Sequence, residues 1–382
     1  MKNPALITPS VMKWARETAG MSVEDAVARF AKSVAKSITV QTVKNWESGK
    51  GAPTYRQLEK VARVYQRPLI CFYFPKPPKE EPIEKKFRTL PKERAKALPP
   101  EIRFLVRIAD VFRLNLYELH EEKNPSPHKI FDDIRISPSH DMKKAAAKVR
   151  RYLNLPESQK SKNAEEAFEA RRDCLEKHGI SVFKEPFKND KFSGFCLHDP
   201  QFPIIYINSS TAKSRQSFTL FHELAHILMR KNGFDFRGDT VHTAEEAACN
   251  RFAGEVLAPE ADIKKYLPSS GALKDDTIES LADQYRVSRA VILRQLRDIN
   301  FIDHKFFDKK IAQLRKNRKK SPKSESSGFG TYADKLCSYR SKSYTQAVCL
   351  QYRRHLIDRH ELADYLHITM KHVDDIVDFA LY

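Results

Sequence analysis

"FTLFHELAHILM", residues 218–229, sets two histidines and a glutamate inside a run of apolar residues. On a helix His222 and His226, four positions apart, share one face, and both imidazoles can reach a single point. Phe218, Phe221, Leu224, Ala225 and Leu228 form an apolar stripe of the same period within "SRQSFTLFHELAHILMR" (214–230), so the stretch predicts a helix with one apolar face. It also completes H-E-x-x-H through His222, Glu223 and His226. In that arrangement two neutral imidazoles bind Zn²⁺ from one helical face, and the glutamate serves as general base. The competing reading is a core helix with satisfied histidines. A third protein ligand decides between them, because a catalytic zinc keeps three protein ligands and one open position.

Beyond this helix, "TAEEAACNRFAGEVL" (243–257) predicts a second one that stops at Pro259. Glu245 and Glu246 open it about twenty positions after His226, room for a turn back across the first helix. Either would complete a His₂Glu set. Before the zinc-type helix, "ISVFKEPF" (180–187), "FSGFCLHD" (192–199) and "PIIYINSS" (203–210) are short β-branched and aromatic runs between turn residues, and predict three strands of a small sheet. The strand 203–208 offers either an edge for an extended peptide or a plain buried strand.

"RQSFTLFHELAHIL" followed by "EEAACNRFAGEVLAPE" resembles the ImmA/IrrE family of metallopeptidases, over roughly residues 170–300. Its members carry R-x-x-F-T-x-x-H-E-x-x-H and then E-x-x-A-N-x-F-A ahead of a leucine and a proline. Arg215, Phe218, Thr219, His222, Glu223 and His226 fill the first pattern. Glu246, Asn250, Phe252, Ala253, Leu257 and Pro259 fill the second, with Cys249 where alanine is usual. By that register the resemblance implies Glu246, not Glu245, as third ligand. Zinc would acidify a water and polarise the scissile carbonyl, while Glu223 moves the proton to the leaving amine. One further oxyanion donor is expected, for which His242 and Tyr266 come into question, each also readable as an ordinary surface or packing residue. Asn250 is read as orienting a ligand, or as a packing residue.

At the other end, "TVQTVKNWESGKGAPTYRQLEKVARVYQRPL" (39–69) resembles the Cro/phage-repressor (Xre) type helix-turn-helix, over about residues 8–70. Trp46, Glu47, Gly49 and Pro53 match its W-E-x-G-x-x-x-P signature. The resemblance implies a third helix in the major groove, with Gln41, Thr42, Lys44 and Asn45 facing bases and Lys50 near phosphate. The turn before that helix, "AKSVAKSI" (31–38), is longer than usual and lacks the small glycine, which bears on the docking geometry and leaves a partner-binding surface as the other reading. Two later pairs, "LADQYRVSRAVILRQL" and "ELADYLHITMKHVDDI", share the spacing, but their mixed charges suit helices packed beside the catalytic part.

The 382 residues carry a formal net charge of +19, which suits a polyanionic partner or a solvated, self-repelling surface. The six cysteines are scattered with no C-x-x-C pair, as free thiols in a reducing compartment would be. No stretch approaches the roughly 20 apolar residues that span a bilayer, so a cytoplasmic protein with no membrane is expected.

The expected architecture is α+β: an all-α helix-turn-helix domain (1–74), a linker (75–100) around "PKPPKEEP", and a compact zincin-like metallopeptidase domain with a helical N-terminal part (101–302). A basic linker (303–329) and a helical C-terminal module (330–382) follow. The family implies narrow proteolysis of a transcriptional repressor or antitoxin-like partner, in transcription regulation or stress response. The alternative is a DNA-binding transcriptional regulator whose zinc site is structural or sensory. Self-cleavage at "PKPPKEEP" is a third reading.

Overall fold

Threonine and proline mark the helix starts at the N-terminal end. Helix α1 (Pro9–Thr18) begins on a proline, whose missing N–H costs nothing there. Helix α2 (Val23–Lys32) follows, then α3 (Val40–Glu47), capped by Thr39, and α4 (Tyr55–Tyr65), opened by a Thr54–Gln57 capping box. Met12, Ala15, Phe30, Val43, Trp46, Leu58, Val61 and Tyr65 close one core between them. Glu47 of the W-E-x-G signature is held by Arg16 through Nε–Oε1 at 2.7 Å and Nη2–Oε2 at 2.9 Å, with both side chains only 9% exposed. Short helices α5 (Ile83–Lys86) and α6 (Lys92–Lys96) lie within the segment expected as a linker.

This computed structural model describes residues 6–32, 38–87, 91–156, 160–236, 243–267, 273–320 and 331–381. Most of the long turn at 31–38 lies outside them. The chain divides into two units, Met1–Ile108 and Ala109–Tyr382, the division falling inside helix α7 (Pro100–Leu119).

The second unit is mixed. After α8 (Ile130–Asp133), α9 (Met142–Tyr152) and α10 (Ala164–Lys177) come strands β1 (Ser181–Glu185), β2 (Phe192–Leu197) and β3 (Ile204–Asn208). Helix α11 (Lys213–Leu228) precedes a fourth strand, β4 (Gly233–Phe236), that the alternation pattern does not predict. The sheet order is β1-β3-β2-β4. β1 runs parallel to β3 from Ser181↔Ile204 to Glu185↔Asn208. β2 is antiparallel to β3 and to β4, with Phe195 opposite Tyr206 on one side and Phe234 on the other. Strand β3 is thus paired on both sides, so of the two readings of 203–208 the buried strand holds; β1 and β4 are the edges.

Helix α11 packs against the sheet on one side and α10 and α12 (Ala244–Leu257) on the others. Every residue from Gln216 to Leu228 is buried, so the helix is enclosed all round rather than amphipathic. Gly194 on β2 permits the close approach: a Cβ there would meet Thr219 Cγ2 at 2.5 Å and the Tyr206 carbonyl oxygen at 2.8 Å.

Helices α13 (Glu260–Ile263), α14 (Asp275–Tyr285) and α15 (Arg289–Asp298) extend the same core. Helix α16 (His304–Lys320) occupies most of the expected basic linker, because Phe306, Phe307, Ile311 and Leu314 recur at helical spacing among the lysines and pack on that core. Helices α17 (Tyr332–Tyr339), α18 (Lys342–Arg353), α19 (Arg359–Leu366) and α20 (Val373–Leu381) end the chain. Buried Arg172 of α10 ties them to β1, donating to the carbonyls of Val182, Ser338 and Arg340.

Candidate metal centre

The turns of α11 set two stripes of functional interest on the buried helix. Phe218, His222 and His226 recur every four residues on one; Arg215, Thr219 and Glu223 do so on the other. The first stripe meets α12. Glu246 Oε2 lies 3.2 Å from His222 Nε2, and its Oε1 lies 3.4 Å from His226 Nε2. One ligand atom from each of the three residues falls within 4.8 Å of the others. A tetrahedral ion with bonds of about 2.0–2.1 Å has ligand-to-ligand edges of roughly 3.3–3.4 Å, close to the distance of each histidine from its nearer Glu246 oxygen.

The electrostatics agree with that fit. Both nitrogens of His222, Nε2 of His226 and both carboxylate oxygens of Glu223 are buried with no hydrogen-bond partner, and a buried polar atom so placed costs stability unless something engages it. Burial pushes the Glu223 carboxyl up to about 7, against the pull of His226 and His222 and helped by Asp235. Burial also acts on Glu246, but the two histidines outweigh it and hold its carboxyl well below the usual range.

The second stripe ends on β4. Asp235 takes Arg215 Nη2 on both oxygens at 2.6 Å and accepts from Thr219 Oγ1 at 2.7 Å. This fixes the helix one turn before Glu223. Gly233, two residues earlier, lies against His226: a Cβ there would sit 2.3 Å from the ring's Cδ2 and 2.9 Å from Nε2. The absent side chain is the space the imidazole uses. Neither Gly233 nor Asp235 carries a sequence signal, since the strand holding them is four residues long.

On α12, Glu245 turns the other way: its Oε1 lies 3.5 Å from His226 Nδ1 and its Oε2 holds Lys231. Cys249 Sγ lies 3.7 Å from the same Nδ1, and burial pushes its thiol up. Asn250 is partly buried and makes no side-chain hydrogen bond among the described residues. Tyr266 is 51% exposed, and His242 lies outside the described residues.

In the N-terminal unit, Gln41, Lys44 and Lys50 are exposed and Thr42 and Asn45 partly so, while Val43 and Trp46 are buried. Gln41 Nε2 donates to Asn45 Oδ1 at 2.9 Å, which orders the outward face of α3. Thr42 is occupied by the Thr39 cap.

Residues 175–297 match a peptidase family model described as the IrrE N-terminal-like domain, and residues 12–70 match a helix-turn-helix model. No curated protein matches the chain. The chain therefore joins a helix-turn-helix module to a metallopeptidase-type domain, and the peptidase match spans the whole sheet with α11, α12 and α15.

Proposed function

We propose that this IrrE-type domain is a zinc-dependent metallo-endopeptidase of narrow specificity, held by His222, His226 and Glu246 and served by Glu223 as general base. The convergence of the three ligand atoms beside a fully buried carboxylate with a pKa of about 7 carries the reading. Zinc is preferred because two imidazoles and one carboxylate in a tetrahedral set suit it; when bound it supplies Lewis acidity, which acidifies water and polarises a carbonyl. Glu223 accepts the proton of the attacking water and delivers it to the leaving amine. Burial of Glu223 excludes bulk water from the transfer. Edge strand β4, which carries Gly233 against His226, is where an extended peptide can lie.

The protein substrate is a transcriptional repressor or antitoxin-like partner, the substrate class that the family resemblance implies. Gln41, Thr42, Lys44, Asn45 and Lys50 bring the chain to operator DNA. The setting is cytoplasmic. In keeping with it, all six cysteines are free, and among the described residues no helix is long and apolar enough to cross a membrane.

The test compares new protein N-termini in cells expressing the wild type or Glu223→Gln. A few termini restricted to the wild type, mapping to a repressor or to this chain, are expected. If none appears even under DNA damage and oxidative stress, the peptidase reading fails in favour of a DNA-binding regulator with a structural or sensory metal.

A further inference from the structure

Phe218, one turn before His222 on the metal-facing stripe, has two guanidinium groups over its ring. Arg215 Cζ is 5.2 Å and Arg294 Cζ 5.6 Å from its ring centroid, and the Phe218 and His222 rings are 6.2 Å apart. Arg215 is engaged by both oxygens of Asp235. The other carboxylate whose charge reaches Arg294 is Asp298, which accepts Nε and Nη2 of Arg297 at 3.1 and 2.8 Å. Three arginines thus share two aspartates, and the third has none: among the described residues Arg294 has no hydrogen bond or ion pair, only the ring contact.

A partly buried guanidinium without a partner is an expensive arrangement. Burial pushes the Arg294 pKa down to about 10, which leaves it charged at neutral pH. Its helix, α15, packs on α12, the helix of Glu246. A planar cation so placed, one aromatic ring from a metal-facing histidine, matches a carboxylate in shape and charge.

We propose that Arg294 is a carboxylate-binding subsite of the peptidase, taking either an acidic side chain close to the scissile bond or a free C-terminal carboxylate of the bound peptide. The proposal deepens the peptidase reading and rests on it for the identity of the ligand as a peptide. It makes the site selective for Asp or Glu over Asn or Gln at one position. Losing a charge-assisted pair of this kind weakens binding by roughly 10–100-fold.

The test uses the zinc-loaded full chain carrying Glu223→Gln, so that bound peptides stay whole. Immobilised protein is challenged with a random synthetic peptide library in two halves, free and amidated at the C-terminus, and retained peptides are sequenced. Asp and Glu enriched at one position in both halves identify a side-chain ligand; enrichment confined to the free half identifies a terminal carboxylate. Adding Arg294→Met is expected to abolish the enrichment while melting temperature and zinc content stay unchanged. Should that variant fail to fold, Arg294→Lys keeps the charge without the fork and is expected to weaken the preference. No acidic preference, no retained peptide, or a preference that either folded variant leaves intact overturns the proposal. Wild-type protein is then given the same library. If it cuts nothing although the preference depends on Arg294, the cleavage reading fails and the carboxylate subsite stands.

Discussion

Replacing Glu223 by glutamine should abolish proteolysis and, in metal-stripped protein, change how stability depends on pH. Burial carries the Glu223 pKa from the ordinary 4.5 to about 7. Between those values the folded chain holds a proton that the unfolded chain has released, so stability is fully present below pH 4.5 and falls as pH rises to 7. At about 1.36 kcal/mol per pH unit, the loss from this one carboxyl is about 3 kcal/mol. Glutamine cannot ionise and lacks that fall, although its buried amide adds a constant cost of about 1–3 kcal/mol if unsatisfied. The slope is therefore the measured quantity. Urea unfolding of both chelator-treated proteins at pH 4.5, 6, 7 and 8, followed by far-ultraviolet dichroism, should show the variant gaining about 3 kcal/mol on the wild type across the range. Tryptophan fluorescence is unsuitable, since Trp14 and Trp46 both lie in the N-terminal unit. A difference between the two proteins that stays constant with pH would refute the desolvation argument.

Asp235→Ala removes the partner of both Arg215 and Thr219. Because Arg215 keeps a side-chain exposure of 29%, the cost should fall at the low end for a broken ion pair, about 3 kcal/mol in denaturant unfolding. Gly233→Ala drives a methyl group into the His226 ring; chelator competition should show zinc affinity lowered by roughly 10–100-fold, as for other changes that misorient a ligand, and unchanged affinity would refute the packing argument. In the N-terminal unit, Lys50→Ala should weaken binding to duplex DNA and reduce the slope of log affinity against log salt by about one. An unaltered slope removes Lys50 from the phosphate contacts.

The elements most legible in the sequence were those whose signal is local. The four N-terminal helices start within a residue or two of the Thr, Ser and Pro signals, because caps and apolar spacing act over a single turn. The α11 and α12 helices and three strands read equally well. β4 did not, since "GFDF" has one glycine, one aspartate and only four residues, and its place depends on partners far away in the chain. The same limit explains why 203–208 reads equally as an edge or as a buried strand: strand order is a tertiary property. Helix α16 was masked by its charge, with four apolar anchors lost among lysines. Of the candidate site, the spacing of His222, Glu223 and His226 was visible at once, and the choice between Glu245 and Glu246 needed the family register. Asp235, Gly233 and Arg294 matter through what lies opposite them, which no single segment records.

The Thr243 hydroxyl accepts the backbone N–H of Glu246 at 3.1 Å, capping α12 at the turn that carries this carboxylate. His222 and His226 are sealed at 1% and 0% exposure, whereas the Glu246 side chain keeps 30%. Helix ends fray first, and here the fraying end is also the most open side of the ligand set. For an ion held by these three residues, the residence time is expected to follow how often that one turn of α12 comes undone. Thr243→Ala, which loses about 1 kcal/mol of capping, should quicken metal release to a chelator severalfold while leaving the two histidines and their spacing untouched.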